Sequence, residues 1–332
     1  MTTVRQALNE ALRLCLETSS DVYFLGEDIL DPYGGAFKVA NGLSTQFPDR
    51  VVTTPVSEAG IVGLGVGMAL RGLRPVIEIM FGDFVTLAAD QLINHAAKMR
   101  WLGGDEVAVP LVVRTPMGGG RGYGPTHSQC LEKHFLGTPG LRVVAVASVD
   151  DPGELLRRAV LEDDDPVLFI EHKLLYPCDV FSIDGSDEYA VVRRGVRYPV
   201  YHMCLTGSPR PVLTIVAYGY MAEICRQAMR SLAYENEIFC ELIVPTQLSP
   251  FDMEMLSEHA SRTHRVLTVE EGAGTMGWGA EVVARLHEGV PSLQRVARIG
   301  AFDMPVPAAA SLEAAVLPSV EKVKRAAVEL VA

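Results

Sequence analysis

The stretch Thr54–Ile61, with the sequence TPVSEAGI, lies between an apolar strand and a helix rich in small residues. Pro55 restricts the residue before it to an extended conformation, so the strand should stop at Thr54. Glu58 then falls where the helix begins, at the carboxyl end of a strand, and open α/β sheets bind ligands at that edge. A glutamate at a helix start can also do no more than complement the helix dipole. Taken alone, the stretch favours this second, structural interpretation.

The composition indicates a globular protein of two domains. The chain has 332 residues, of which 48% are hydrophobic, and domains usually have about 150 residues. The net charge is −12 and no block of Lys and Arg occurs, so we expect neither nucleic acid nor a membrane as a partner. The six cysteines are scattered, and the N-terminus reads as an amphipathic helix rather than a signal peptide. We therefore expect a cytoplasmic protein.

Apolar strands alternate with amphipathic helices along the chain, which predicts two α/β domains with parallel sheets. In the first half, helices are predicted at 4–18, 39–47, 84–99 and 152–161, and strands at 22–25, 50–53, 74–80, 110–114, 141–147 and 167–171. In the second half, strands are predicted at 212–217, 238–244, 265–269 and 295–299, and helices at 221–233, 252–261, 279–288 and 320–331. The predicted limits are a domain at 1–178, a linker with room for one hairpin at 179–210, and a domain at 211–332.

Two glycine-rich stretches could bind a ligand. Gly63, Gly65 and Gly67 lie inside a predicted helix and do not have the GxGxxG spacing, so we reject dinucleotide binding. The loop 118–129 is either a mobile surface or a backbone that approaches a ligand closely. His127 follows its glycines and is equally a hydrogen-bonded structural residue or a catalyst.

Phe84 follows the strand at 74–80 and has two interpretations. It either begins a helix or provides an aromatic floor for a flat heterocycle. Metal-ligand spacing, a P-loop and a GxSxG nucleophile motif are absent from the sequence.

Short motifs occur in one order along nearly the whole chain, at 26–28 (GED), 54–61 (TPVSEAGI), 90–91 (DQ), 127–129 (HSQ), 171–176 (EHKLLY), 277–281 (GWGAE) and 303–307 (DMPVP). In these motifs the chain resembles the β subunits of thiamine-diphosphate-dependent 2-oxoacid dehydrogenases, a group that includes the pyruvate, branched-chain and acetoin enzymes. The resemblance implies a transketolase-like pyrimidine-binding domain followed by a transketolase C-terminal domain.

The resemblance also implies roles for single residues. Glu58 matches the glutamate that hydrogen-bonds N1′ of the aminopyrimidine of thiamine diphosphate. Phe84 matches the aromatic residue that packs on the pyrimidine, and Met80 lines the same pocket. His127 matches a catalytic histidine near the thiazolium ring.

Other matched positions lie close to the cofactor, at the subunit interface or at a structural ion. Glu27 and Tyr33 match residues near the cofactor or the interface. A potassium ion is implied at the positions of Leu111, Ala159, Val160, Asp163 and Asp165.

The sequence contains no Gly-Asp-Gly motif, with which this class of enzymes holds magnesium and the diphosphate. The resemblance therefore implies an α subunit that holds Mg²⁺, in an α2β2 heterotetramer that decarboxylates a 2-oxoacid and serves a lipoyl acyltransferase core. The chain departs from the family's pattern at Gly137 and at Val244–Leu248, where Asp-Leu-Arg-Thr-Leu is usual. These departures keep one alternative open, a stand-alone biosynthetic carboligase of transketolase type that transfers the carbanion to an aldehyde or ketone. A non-catalytic β-like chain is a further alternative, and the presence of Glu58 and His127 argues against it.

Overall fold

A computed structural model describes residues 2–183 and 188–332. The chain divides into two compact units, which are Met1–Met117 with His134–Val180, and Gly118–Lys133 with Phe181–Ala332. Among the described residues, no helix combines the length and the apolar character that crossing a membrane requires.

The first unit is built on parallel strands. The strands are β1 (Val22–Gly26), β2 (Val51–Thr53), β3 (Arg74–Glu78), β4 (Val112–Met117), β5 (Arg142–Ala145) and β6 (Val167–His172). The helices are α1 (Val4–Thr18), α2 (Leu43–Gln46), α3 (Glu58–Leu70), α4 (Ala97–Leu102) and α5 (Pro152–Leu161). Within this unit the strands run in the order β5-β6-β4-β3-β1-β2, and every pair is parallel. Because the chain passes from β2 back across β1 to β3, the carboxyl ends of β1 and β3 form a topological switch point.

Helices α1 and α5 begin and end where the sequence predicted. The Thr3 side chain accepts from the backbone of Gln6 in a capping box, and Asp151 accepts from the first N–H groups of α5. The two helices pack closely, since a Cβ at Gly153 would lie 2.5 Å from the carbonyl oxygen of Ala7.

The segment predicted as a helix at 84–99 is helical, but it is not a regular α-helix. The structure has a 3₁₀ helix at Gly82–Ala88, a π-helix at Gln91–Ala96 and then α4. Gly82 packs against the side chain of Met117, whose Cγ would lie 2.3 Å from a Cβ at this position. The backbone is therefore in close contact with β4 where the segment begins. Its hydrogen bonds have the i→i+3 spacing of a 3₁₀ helix first and the i→i+5 spacing of a π-helix later.

Gly140 is expected to tolerate no side chain. Its φ is +86°, and a Cβ there would lie 2.0 Å from the carbonyl oxygen of Ala97. Gly72 has a similar φ of +89° but faces open space, so it is a matched control. We expect Gly140→Ala to lower the free energy of unfolding by about 3 kcal/mol or more, and Gly72→Ala by about 1 kcal/mol. Urea denaturation measures both, and equal losses would contradict the backbone contact.

The second unit contains a mixed sheet. Its strands are β7 (Tyr189–Arg194), β8 (Val200–Leu205), β9 (Leu213–Ala217), β10 (Cys240–Pro245), β12 (Arg265–Ala273) and β13 (Arg295–Ala301), in the order β13-β12-β9-β10-β8-β7. Its helices are α6 (Tyr220–Asn236), α7 (Glu254–Thr263), α8 (Trp278–Gly289), α9 (Ala310–Val316) and α10 (Val320–Val331). Two further short elements are β11 (Gln247–Ser249) and a 3₁₀ turn at Glu132–His134.

Strands β7 and β8 are antiparallel to their neighbours and lie within 179–210, the predicted linker. The other neighbouring strands of this sheet are parallel. The predicted domain limits stay a prediction, while the prediction of two mainly parallel α/β sheets is confirmed.

Candidate functional site

The junction between β2 and α3 is built as the sequence predicts. Strand β2 ends at Thr53, and the N–H of Thr54 donates to the carbonyl of Gly26 over 3.0 Å, which holds the ends of β1 and β2 together. Helix α3 begins at Glu58. The Glu58 side chain is buried, although Val56 two residues earlier is 79% exposed. The carboxylate therefore turns inward at the carboxyl edge of the sheet.

Glu27 follows β1 and is a second buried carboxyl group at this edge. Burial raises the pKa of Glu27, the neighbouring Glu58 carboxylate raises it further, and a hydrogen bond from the backbone of Ser57 lowers it. Its Oε1 atom is buried and has no hydrogen-bond partner among the described residues. Neighbouring buried carboxyl groups, one of them with a raised pKa, are typical of a functional site.

Other polar side-chain atoms in this unit are buried without a hydrogen-bond partner among the described residues. They include Thr54 Oγ1, four residues before Glu58, and Gln91 Oε1 in the π-helix. Gln91 packs beside α3, where a Cβ at Gly63 would lie 3.5 Å from its Cγ. Unpaired buried polar atoms are costly and uncommon in folded proteins, so these residues suit a ligand that brings its own donors and acceptors. An aminopyrimidine is such a ligand.

The apolar residues predicted for this site lie after β3. Met80 and Phe84 are both half-buried, and the Phe84 ring meets that of Phe81 edge to face with centroids 6.1 Å apart. Because β1 and β3 are neighbours, Met80 and Glu27 share the carboxyl edge of the sheet. Tyr33 lies on the loop after β1 and is 48% exposed, with Lys38 Nζ 3.7 Å from its ring centroid.

His127 belongs to the second unit, on the glycine-rich loop. Its ring is half-buried, and its Nδ1 lies 3.0 Å from Thr126 Oγ1. From 118 to 124, every second residue is a glycine with positive φ, namely Gly118, Gly120, Gly122 and Gly124. This backbone conformation favours glycine at these four positions.

Two buried glutamates, which the sequence analysis missed, hold this loop. Glu271 accepts from the N–H of Gly119 over 2.6 Å, and Glu313 accepts from the N–H groups of Gly120 and Gly122 over 2.8 and 3.0 Å. The loop therefore closely approaches carboxylates of its own unit, and this contact fixes the backbone that carries His127.

The turn predicted to hold potassium already contains bound guanidinium groups. Arg74 Nη1 donates to the carbonyl oxygens of Val160 and Asp163, over 3.0 and 2.9 Å. The carboxylates of Asp163 and Asp165 form ion pairs with Arg142. These oxygens already bind the guanidinium groups of two arginines. The potassium site therefore stays a prediction and forms no part of the function proposed below.

The buried Glu270 of β12 should make stability depend on pH. Burial raises the pKa of Glu270 to about 7, although hydrogen bonds from the backbone N–H groups of Gly279 and Trp278 lower it in part. The folded state therefore binds this proton more tightly than the unfolded chain, in which the pKa is near 4.5. The resulting stability is present below pH 4.5 and is lost as the pH rises toward 7, by at most about 3 kcal/mol.

Glu270→Gln should remove this part of the pH dependence in urea denaturation between pH 4.5 and 8. Glu281→Gln, at an exposed position of α8, should keep it. Parallel stability curves for the two variants would contradict the assignment.

Comparisons with known proteins agree with this architecture. The transketolase pyrimidine-binding domain family matches residues 1–179, and the transketolase C-terminal domain family matches residues 205–323. The chain is 37% identical to the pyruvate dehydrogenase E1 component subunit beta-1, mitochondrial, of Oryza sativa subsp. japonica, over 98% of this chain and 85% of that protein. The corresponding proteins of Pisum sativum and Bos taurus are 37% and 35% identical, over 98% and 97% of this chain and 89% and 88% of theirs. A solved split-gene transketolase, described as an inactive beta4 tetramer, has the same fold, with a TM-score of 0.76 at 20% identity over 100% of this chain and 99% of that one.

The names of these relatives contradict the predicted cytoplasmic location, because they place the relatives in mitochondria. The prediction rested on scattered cysteines, which form no disulfide bond among the described residues, and on the first residues of the chain. Free cysteines argue only against an oxidising compartment and do not single out the cytoplasm.

Proposed function

Because the chain belongs to the β subunits of thiamine-diphosphate-dependent 2-oxoacid dehydrogenases, we propose that it works with an α subunit to decarboxylate pyruvate and pass the acetyl group to a lipoyl carrier. The observation that carries the proposal is the buried pair Glu27 and Glu58 at the carboxyl edge of the unit that matches the pyrimidine-binding family. Pyruvate is chosen because the relatives described above are named for it.

Glu58 is the residue proposed to handle the proton. Thiamine diphosphate, when bound, supplies the electron sink that decarboxylation of a 2-oxoacid needs. The Glu58 carboxylate shares a proton with N1′ of the aminopyrimidine, and its burial keeps water from competing for that proton. Glu27 remains beside it as a carboxyl group of raised pKa, able to hold a proton of its own. Met80 and Phe84 offer apolar surface to the pyrimidine.

The remaining parts of the site are assigned as follows. His127 is proposed to move a proton at the substrate or to orient the acyl acceptor. An α subunit is proposed to hold the diphosphate and Mg²⁺, because this chain has no Gly-Asp-Gly motif. Two copies of each subunit would form the heterotetramer. Because the proposed acyl acceptor is a lipoyl group, the heterotetramer would dock to a lipoyl acyltransferase core.

The test is to co-express the chain with its α subunit, supply thiamine diphosphate and Mg²⁺, and assay a panel of 2-oxoacids with a redox dye. We expect pyruvate to have the highest kcat/KM. A branched-chain 2-oxoacid as the best substrate would overturn the choice of pyruvate but leave the reaction class intact. Carbon–carbon bond formation with an added aldehyde, without dye reduction, would support the carboligase alternative instead.

A further inference from the structure

Three side chains with metal-ligating atoms meet in the second unit, outside the residues assigned above. They are His202 of β8, Glu241 of β10 and His259 of α7. Strands β8 and β10 are antiparallel, with His202 opposite Ile243 and Glu241 opposite Cys204, so His202 and Glu241 point to the same face of the sheet. Helix α7 brings His259 to that face.

The two imidazoles converge on one carboxylate oxygen. His202 Nε2 lies 3.0 Å and His259 Nδ1 2.7 Å from Glu241 Oε2. The two rings are stacked, with centroids 4.2 Å apart and an angle of 26° between their planes. The three candidate ligand atoms all lie within 4.8 Å of one another.

The carboxylate of the cluster has a third partner, the hydroxyl of Thr214 on β9. Thr214 Oγ1 donates to Oε1 over 2.7 Å, and this fixes Oε2 toward the histidines. Neighbours of this kind typically orient the carboxylate ligands of metal sites.

We propose that His202, Glu241 and His259 bind a divalent transition-metal ion, and that zinc fits the cluster best. Two imidazole nitrogens and one carboxylate oxygen are a donor set that suits zinc better than calcium or magnesium. Bonds of about 2.0–2.2 Å around a tetrahedral ion put its ligand atoms about 3.3 Å apart. The observed nitrogen–oxygen distances of 2.7 and 3.0 Å would therefore lengthen by a few tenths of an ångström when the ion binds.

The ion would tie α7 to the sheet and keep one position for water. The side chains of His202, His259 and Glu241 are 14%, 10% and 6% exposed, so a single solvent-facing ligand position is compatible with the burial. The competing explanation is a buried carboxylate that is satisfied by two histidine hydrogen bonds and binds no metal.

Metal binding by the purified full-length chain separates these explanations. After chelator treatment, the protein is titrated with Zn²⁺ against a chromophoric chelator, and with Co²⁺ while its visible absorption is recorded. We expect one tight site per chain, the absorption of four-coordinate Co²⁺, and a zinc-dependent rise in Tm. The variant His202→Gln/His259→Gln should lose at least about tenfold in zinc affinity and the Co²⁺ absorption.

The matched control is His287→Gln, which removes an exposed histidine of α8 and should leave binding unchanged. Far-UV circular dichroism checks that each variant is folded. If a variant is unfolded, Glu241→Gln takes its place, because it keeps the shape of the side chain and removes the charge. Equal zinc affinity in wild type, control and cluster variants would overturn the proposal, and so would the absence of any tight site in the wild type.

Discussion

Glu58→Gln is expected to lower the turnover of the reconstituted α–β enzyme by about 10²–10⁴-fold, the usual contribution of a general acid–base group. The amide has nearly the shape of the carboxylate, so α3 should still begin at the same residue, but it cannot exchange a proton with the pyrimidine ring. The measurement is kcat at saturating cofactor and pyruvate. Size-exclusion chromatography of the α–β assembly should show no change.

A matched control separates catalysis from a structural role at the helix start. Glu254 is the first residue of α7, and its side chain is 75% exposed. Glu254→Gln changes the charge at a helix N-terminus in the same way and should keep full activity, with a stability loss below about 1 kcal/mol. If Glu58→Gln kept full activity as well, Glu58 would only complement the helix dipole and the proposed mechanism would be wrong.

Local signals predicted much of the fold. Helices α1, α5 and α10 begin and end where the sequence indicated, because each has a capping side chain just before its apolar periodicity begins, namely Thr3, Asp151 and Ser319. The central strands were found because strands buried on both faces read as continuous apolar runs.

Some details of the fold could not be predicted, for physical reasons. The sequence predicted a helix at 84–99 but not its type, because apolar spacing does not distinguish an α-helix from consecutive 3₁₀ and π turns. The contact between Gly82 and Met117 is also long-range. The hairpin of β7 and β8 lies in the predicted linker, which had room for one hairpin, but its strand limits were not predicted. Strand β7 is an edge strand whose residues are mostly exposed, so it lacks a continuous run of apolar residues.

The site was predictable only in part. The strand–helix junction around Glu58 is local, so the sequence could place it. The electrostatic effect of Glu58 on Glu27 depends on β1 pairing beside β2, which the sequence did not specify. The cluster of His202, Glu241 and His259 joins three separate elements, so no spacing rule could identify it. The roles of all these residues stay predictions.

Arg114→Met is expected to lower the free energy of unfolding by about 3–5 kcal/mol. Arg114 is fully buried in β4 and forms ion pairs with Glu78 of β3 and Glu171 of β6. Tyr176 Oη also donates to Glu171, over 2.7 Å. Removal of the guanidinium would leave the buried carboxyl groups of Glu78 and Glu171 without their ion-pair partner. Urea denaturation measures the loss.

The loss from Arg114→Met should depend on pH in a way that identifies its cause. Burial already raises the pKa of Glu78, and the Arg114 charge opposes this effect. Without that charge Glu78 should take up a proton more readily, so the variant should lose less stability at pH 5 than at pH 8. Arg100→Met, which breaks a partly exposed ion pair with Asp165, should cost below about 1 kcal/mol. A pH-independent loss would indicate that Arg114 matters for its packing rather than its charge.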